Sequence, residues 1–205
     1  MEEELKYIPG STTICGILNT PALVKWANNL GLKGIDSDVY VENEARIGTL
    51  IHAILNSHVT KTEVDLSEYS EEEIKSAEES FYRYMEWEKD QEIETIFAEK
   101  TLIANDLRYK GVIDFYCKLN GKYTLVDFKT SKNIYDSHVL QLSSYLTLLK
   151  ESNLPVDQLL IINVGKKENK VFHTKFITLE ETENYLKIFN HLLDIYWLKR
   201  QMKWR

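Results

Sequence analysis

Two aspartates and a lysine stand inside strand-like apolar runs: Asp114 in "GVIDF" (111–115), and Asp127 and Lys129 in "LVDFKTS" (125–131). Charge is expensive in such a setting unless something compensates it. Between the runs lies Asn-Gly at 120–121, a strong signal for a two-residue type I′ hairpin turn. With that turn Leu119 faces Lys122, and counting back along both strands sets Asp114 opposite Asp127. Opposed residues have Cβ atoms about 4.5–5.5 Å apart. Side chains alternate along a strand, so Leu125, Asp127 and Lys129 share one face while Val126 and Phe128 point the other way. The expectation is two carboxylates and one ammonium on a single sheet surface.

Opposed like charges repel and need positive compensation. Lys129 could supply it in a salt-bridged triad. The alternative is a divalent cation such as Mg²⁺, a hard ion held by one or two carboxylates together with waters and substrate phosphates. One lysine cannot neutralise two aspartates, which favours the cation.

The elements that must position this cluster follow from periodicity. Pro21 at a first turn predicts a helix over about 21–30, and Ile47, Ile51, Ile54 and Leu55 form the stripe of a helix over about 46–59. Ser70 with Glu73 makes a capping box, followed by helical spacing to about 92. Strand signals cover 95–104, 107–119 and 122–130. A helix over about 137–150, strands at 158–165 and 170–177, and a helix from about 179 complete the chain, the last opened by a Thr178–Glu181 box. Helices followed by a strand block and then helix–strand–strand–helix predict a mixed α/β domain. Without a Gly/Ser-rich linker, residues 1–205 read as one domain, helical over 1–92 and α/β over 93–205.

The run "GVIDF…VDFKTS" resembles the core of the PD-(D/E)XK nuclease superfamily. That resemblance implies a restriction-endonuclease-like core: a mixed central sheet flanked by helices, preceded here by an N-terminal helical segment. It makes Asp114 the first metal aspartate, Asp127 the second acidic residue and Lys129 the catalytic lysine. "QLSSY" (141–145) is similar to the Gln-x3-Tyr motif of RecB-like members, in which Gln141 and Tyr145 would support the lysine and the DNA. "GTLIHAIL" (48–55) resembles the histidine motif of that branch, with His52 in the matching place and Gly48 one turn before it. Glu99 in "FAEKTLI" (97–103) occupies the position of an acidic residue preceding the metal hairpin. "GSTTICGIL" (10–18) and the strand–strand–helix ending look most like the mitochondrial genome maintenance exonuclease group and its phage relatives. The iron–sulfur RecB-like nucleases are excluded, because they need four cysteine ligands and only Cys15 and Cys117 are present.

The chemistry implied is metal-assisted phosphodiester hydrolysis with 5′-phosphate and 3′-hydroxyl products. His52, Asp114, Asp127 and the Phe128 carbonyl would hold one or two Mg²⁺ or Mn²⁺ ions. Lys129 would position or deprotonate the attacking water. The expected partner is DNA, single-stranded or with free ends, with protein partners in a replication, recombination or repair complex. Two further readings stand beside it: a structure-specific endonuclease, or an inactive nucleic-acid-binding subunit that retains the fold.

Other residues carry weaker signals. His58, His138, His173 and His191 lack partners at metal spacing and are expected to be surface or structural, while Trp26, Trp87 and Trp197 fall on predicted helices and are expected to pack. Lys132, Lys166, Lys167 and the closing "LKRQMKWR" (198–205) read first as solvated faces. Ser11, Thr12 and Thr13 precede a helical segment, where hydroxyls and backbone N–H groups can hold a phosphate. Net charge is −7, against a protein that coats nucleic acid over its whole surface, although a local basic groove remains compatible. The acidic start, the two cysteines and the lack of a long apolar run are expected of a cytoplasmic protein.

Overall fold

The computed structural model describes residues 7–18, 20–166 and 172–204. Four helices come first: α1 (Ser11–Cys15), α2 (Pro21–Gly31), α3 (Ser37–Thr60) and α4 (Glu71–Glu88). Then follow β1 (Ile93–Ala104), β2 (Tyr109–Leu119), β3 (Lys122–Lys129), α5 (Asp136–Glu151), β4 (Gln158–Asn163), β5 (His173–Ile177) and α6 (Thr182–Gln201). The strands form one sheet in the order β1-β2-β3-β4-β5. Pairing is antiparallel except between β3 and β4, which are parallel because α5 crosses over between them.

Two apolar cores sandwich this sheet. On one face Leu102, Tyr109, Ile113, Leu125, Leu159 and Ile161 pack with the stripes of α5 and α6. On the other, Phe115, Cys117, Val126, Phe128, Leu160 and Ile162 pack with α3 and α4. α3 is anchored by Ile47, Leu50, Ile51 and Leu55, each at most 5% exposed. Burying one such side chain contributes roughly 1.5–3 kcal/mol, which fixes the helix face that carries His52.

The capping chemistry follows the sequence closely. Ser70 and Glu73 bond reciprocally at the start of α4. Thr178 and Glu181 also bond reciprocally, although regular α-helix begins at Thr182, after a turn. α3 begins at Ser37, earlier than the expected position near 46. There the Asp36 carboxylate accepts hydrogen bonds from the N–H groups of Asp38 (2.8 Å) and Val39 (3.2 Å). These first turns are largely exposed and so carry no apolar stripe by which the sequence could reveal them. Ser11 to Thr13 do not precede a helix but form it, as α1. Lys167 and the first two residues of the expected 170–177 strand lie outside the described residues.

Candidate metal centre

The hairpin forms in the register that Asn-Gly dictates. Asn120 and Gly121 have φ of 50° and 80°, as a type I′ turn requires, and pairing runs from Leu119↔Lys122 to Phe115↔Val126. One rung further stand Asp114 and Asp127, where the ladder gives way. The Asp114 carboxylate there accepts the Phe128 N–H (2.9 Å), a side chain taking the place of a strand carbonyl.

The neighbouring pair of strands is irregular at the same level. The register Ala98↔Phe115 and Lys100↔Ile113 sets Glu99 beside Asp114. Glu99 has φ 48°, a conformation that an L-residue in a strand adopts only under strain. In-and-out alternation breaks here in both strands. Ile113 belongs to the α5 side and Phe115 to the α3 side, although two residues apart; Ala98 belongs to the α3 side and Leu102 to the α5 side, although four apart. Glu99, Asp114 and Asp127 thus occupy successive positions across three adjacent strands.

α3 brings His52 to this point. Its Nδ1 lies 3.6 Å from Asp114 Oδ2, too far for a hydrogen bond. One ligand atom each from His52, Glu99 and Asp114 fall within 4.8 Å of one another. Gly48, one turn earlier, lets β3 approach: a Cβ there would sit 3.1 Å from Thr130 Oγ1.

Asp127 is compensated differently. It is 1% exposed, and Lys129 Nζ stands 2.6 Å from its Oδ2. That oxygen nevertheless has no hydrogen bond of acceptable direction, so the pair is held by charge alone on that side. Lys129 Nζ also donates to Gln141 Oε1 (3.2 Å), and Gln141 Nε2 donates to the Tyr145 hydroxyl (2.7 Å). Gln141 and Tyr145 stand one turn apart on α5, which turns the expected helical motif into a continuous chain from Asp127 to Tyr145. Gly111 makes room for it, since a Cβ there would lie 2.5 Å from Tyr145 Cε1.

Burial dominates the electrostatics. It lifts the Asp114 carboxyl to about 6, opposed by Lys129 and the Phe128 N–H and reinforced by Glu99. Asp127 is likewise lifted to about 6 by burial, with Lys129 opposing and Asp114 adding to the rise. Desolvation raises Glu99 as well. His52 is pushed down to about 4, first by burial and then by Lys129, which leaves a neutral imidazole at pH 7. The Phe128 carbonyl faces this ring and works in the opposite direction.

The family model of the PD-(D/E)XK nuclease superfamily matches residues 25–202, most of the chain. The chain belongs to that superfamily. No curated protein matches it. Superfamily membership makes it a nuclease acting on nucleic acid with divalent metal ions, and the residues present fit such an ion. An imidazole nitrogen, a borderline donor, converges with two hard carboxylates, and a buried Asp127 oxygen nearby lacks a directed donor. Among the described residues no other group of this kind occurs.

The remaining candidates separate into groups. His58 pairs with Glu88 (2.7 Å) between α3 and α4 and is structural. Lys166 binds α3 about two turns from its start, through the Glu44 carbonyl (2.7 Å) and carboxylate (2.9 Å). Trp87 and Trp197 pack against the cores, while Trp26 is 37% exposed. The Ser11 hydroxyl is buried and bonded to that of Ser144, so it faces the protein interior. His138 stands closer to the site than its sequence neighbourhood suggests. It is half-buried, its Nδ1 accepts the Tyr135 N–H (3.3 Å), and burial followed by the charge of Lys129 lowers it to about 4. Its spacing three residues before Gln141 on one helix is the sequence signal for that placement.

Proposed function

We propose that the protein is a Mg²⁺- or Mn²⁺-dependent deoxyribonuclease of the RecB-like branch that degrades single-stranded DNA from an end. The convergence of His52, Glu99 and Asp114 beside the Asp127–Lys129 pair carries this reading. His52, Glu99 and Asp114 would hold the ion, with Asp127 and the Phe128 carbonyl adjacent to it. A bound divalent ion would lower the pKa of a ligated water and neutralise charge on the scissile phosphate. Lys129 is positioned by Asp127 on one side and Gln141 on the other, so that its ammonium offsets charge developing on the phosphate and orients the attacking water. Tyr145 holds Gln141 in the orientation that accepts from the lysine. The products expected are 5′-phosphate and 3′-hydroxyl ends.

Preference for a single strand draws support from α2 and the start of α3. α2 has no buried residue, and Leu23 and Val24 on it, with Leu32 just after it, are between 59% and 79% exposed. Trp26 and Tyr40 meet edge to face there, partly exposed. Exposed apolar and aromatic groups suit unpaired bases, which stack on such surfaces without regard to sequence.

End-labelled single- and double-stranded DNA, incubated with Mg²⁺ or Mn²⁺, tests the activity. Loss of the single strand by wild type but not by Asp114→Asn is the expected result. Cleavage by Asp114→Asn at the wild-type rate would remove the metal centre from the mechanism. A wild type that binds DNA but never cuts it would instead make the chain an inactive binding subunit.

A further inference from the structure

A cavity lies away from the acidic cluster, between α1 and the C-terminal end of α6. It holds about 490 Å³ and is lined by Thr13, Gly16, Tyr196, Lys199, Arg200 and Trp204. Two cations, two aromatic rings and a hydroxyl make an uncommon lining on a chain with a net charge of −7.

The local backbone is bent to produce it. Regular helix ends at Gln201, and Lys203 takes the left-handed conformation (φ 51°) that glycine usually occupies at a helix end. The Trp204 N–H then bonds back to the Lys199 carbonyl (2.9 Å), which folds the indole over the last turn with Lys199 Nζ 5.8 Å from its centroid. A side chain other than glycine in this region carries a conformational cost. Yet the ring so placed remains 65% exposed and therefore gains little by burial. Arg200 is prearranged too. Its guanidinium lies 4.7 Å over the Tyr7 ring and bonds to the Tyr196 hydroxyl, while its Nε is buried without a hydrogen bond. Among the described residues neither Lys199 nor Arg200 is paired to a carboxylate.

The cavity wall is tied to the catalytic layer. Ser11 of α1 bonds to Ser144 of α5, whose hydroxyl in turn donates to the Gln141 carbonyl (2.6 Å). Gln141 is the residue that holds Lys129. α1 therefore has the cavity on one side and the lysine-bearing layer on the other.

We propose that this cavity is a subsite for one nucleotide of a single strand, at a distance from the bond that is cut. Trp204 offers a face on which a base stacks, and Lys199 and Arg200, with the Thr13 hydroxyl, take the adjoining phosphate. The subsite rests on the nuclease reading for its substrate class, but its test needs no turnover.

A fluorescein-labelled oligodeoxythymidylate about twelve nucleotides long, within the site sizes single-strand binders cover, is titrated with the protein in EDTA, and anisotropy is read at several salt concentrations. Lys199→Ala and Trp204→Ala, both at exposed positions, are expected to keep the wild-type melting temperature. Each should weaken binding about tenfold, in line with loss of a stacked base or a phosphate contact. Lys199→Ala should also lower the salt slope by about 0.7, and Trp204→Ala should leave it unchanged. Trp204→Phe should recover most of the affinity. Wild-type affinity in both alanine variants, or no binding of the probe by wild type, overturns the subsite. Absence of cleavage by a wild type whose binding still depends on Lys199 and Trp204 would sink the nuclease reading and leave the subsite standing.

Discussion

Asp114 and Asp127 are more easily protonated in the folded chain than in water, since burial lifts each from an ordinary 3.8 to about 6. Between those values the folded state binds more protons than the unfolded one. The contribution of these two carboxyls to the stability of the metal-free protein should therefore fall as pH rises from about 4 to about 6, the reverse of an acid in a favourable salt bridge, while His52 and His138, both lowered to about 4, oppose it over the same interval. Metal binding requires those protons to leave, so Mn²⁺ affinity should climb through pH 6 and proton release should accompany binding below it. Calorimetry in two buffers of different ionisation enthalpy measures both, and a flat affinity between pH 5 and 7 would contradict the assignment. Lys129 belongs to a separate step. Lys129→Ala should keep Mn²⁺ binding and lose on the order of 10²–10⁴ in turnover, the usual worth of a positioned acid–base or charge-stabilising group. Near-normal turnover would reassign the lysine to holding Asp127 alone. The spacing Asp114…Asp127-x-Lys129 was legible because turn chemistry and strand period dictate it. His138 was missed although it stands three residues before Gln141 on the same helix, because it was judged only by its lack of a partner at metal spacing.

At the scale of elements, the hairpin register could be counted from Asn-Gly, and α4 could be read from its capping box. The break in alternation at Glu99 and Asp114 could not. No residue there is a glycine or proline, and the positive φ of Glu99 is imposed by its surroundings and not by its own propensity. The first turns of α3 were equally hidden, because their apolar residues, Val39, Tyr40 and Val41, are consecutive and exposed and so set no helical period to detect. Gly111 shows how one element constrains another. An added Cβ would lie 2.5 Å and 2.8 Å from Tyr145 Cε1 and Leu148 Cδ1, against a ring that cannot yield by a rotamer change alone. Gly111→Ala should cost about 1–3 kcal/mol in stability, as overpacking does. It should also lower turnover, through displacement of Tyr145 from Gln141. Thermal melting together with single-turnover kinetics would check this; a stable, fully active variant would mean that α5 can move without consequence for Lys129.

At the scale of the whole molecule, the side chains of the candidate site converge from both layers of a sandwich: α3 supplies His52, the sheet supplies the acids and the lysine, and α5 supplies Gln141 and Tyr145. α2 and the exposed start of α3 precede this site in the chain. The net charge of −7 gives no broad surface for duplex phosphates, whose neutralisation drives nonspecific duplex binding. On the proposed reading, unpaired bases would instead stack on exposed aromatic rings: Trp26 of α2 with Tyr40 of α3, and Trp204 beside α1. A strand that must pass between such contacts reaches the acids most readily by an end. Linear single-stranded DNA should accordingly be shortened progressively, blunt duplex much more slowly, and a single-stranded circle of the same sequence least of all. The circle separates this from every alternative path to the site, because it presents the same bases and phosphates without an end. Rapid conversion of the circle to a linear product, before any mononucleotides or short oligonucleotides appear, would make the protein an endonuclease and would show that the strand enters from the side.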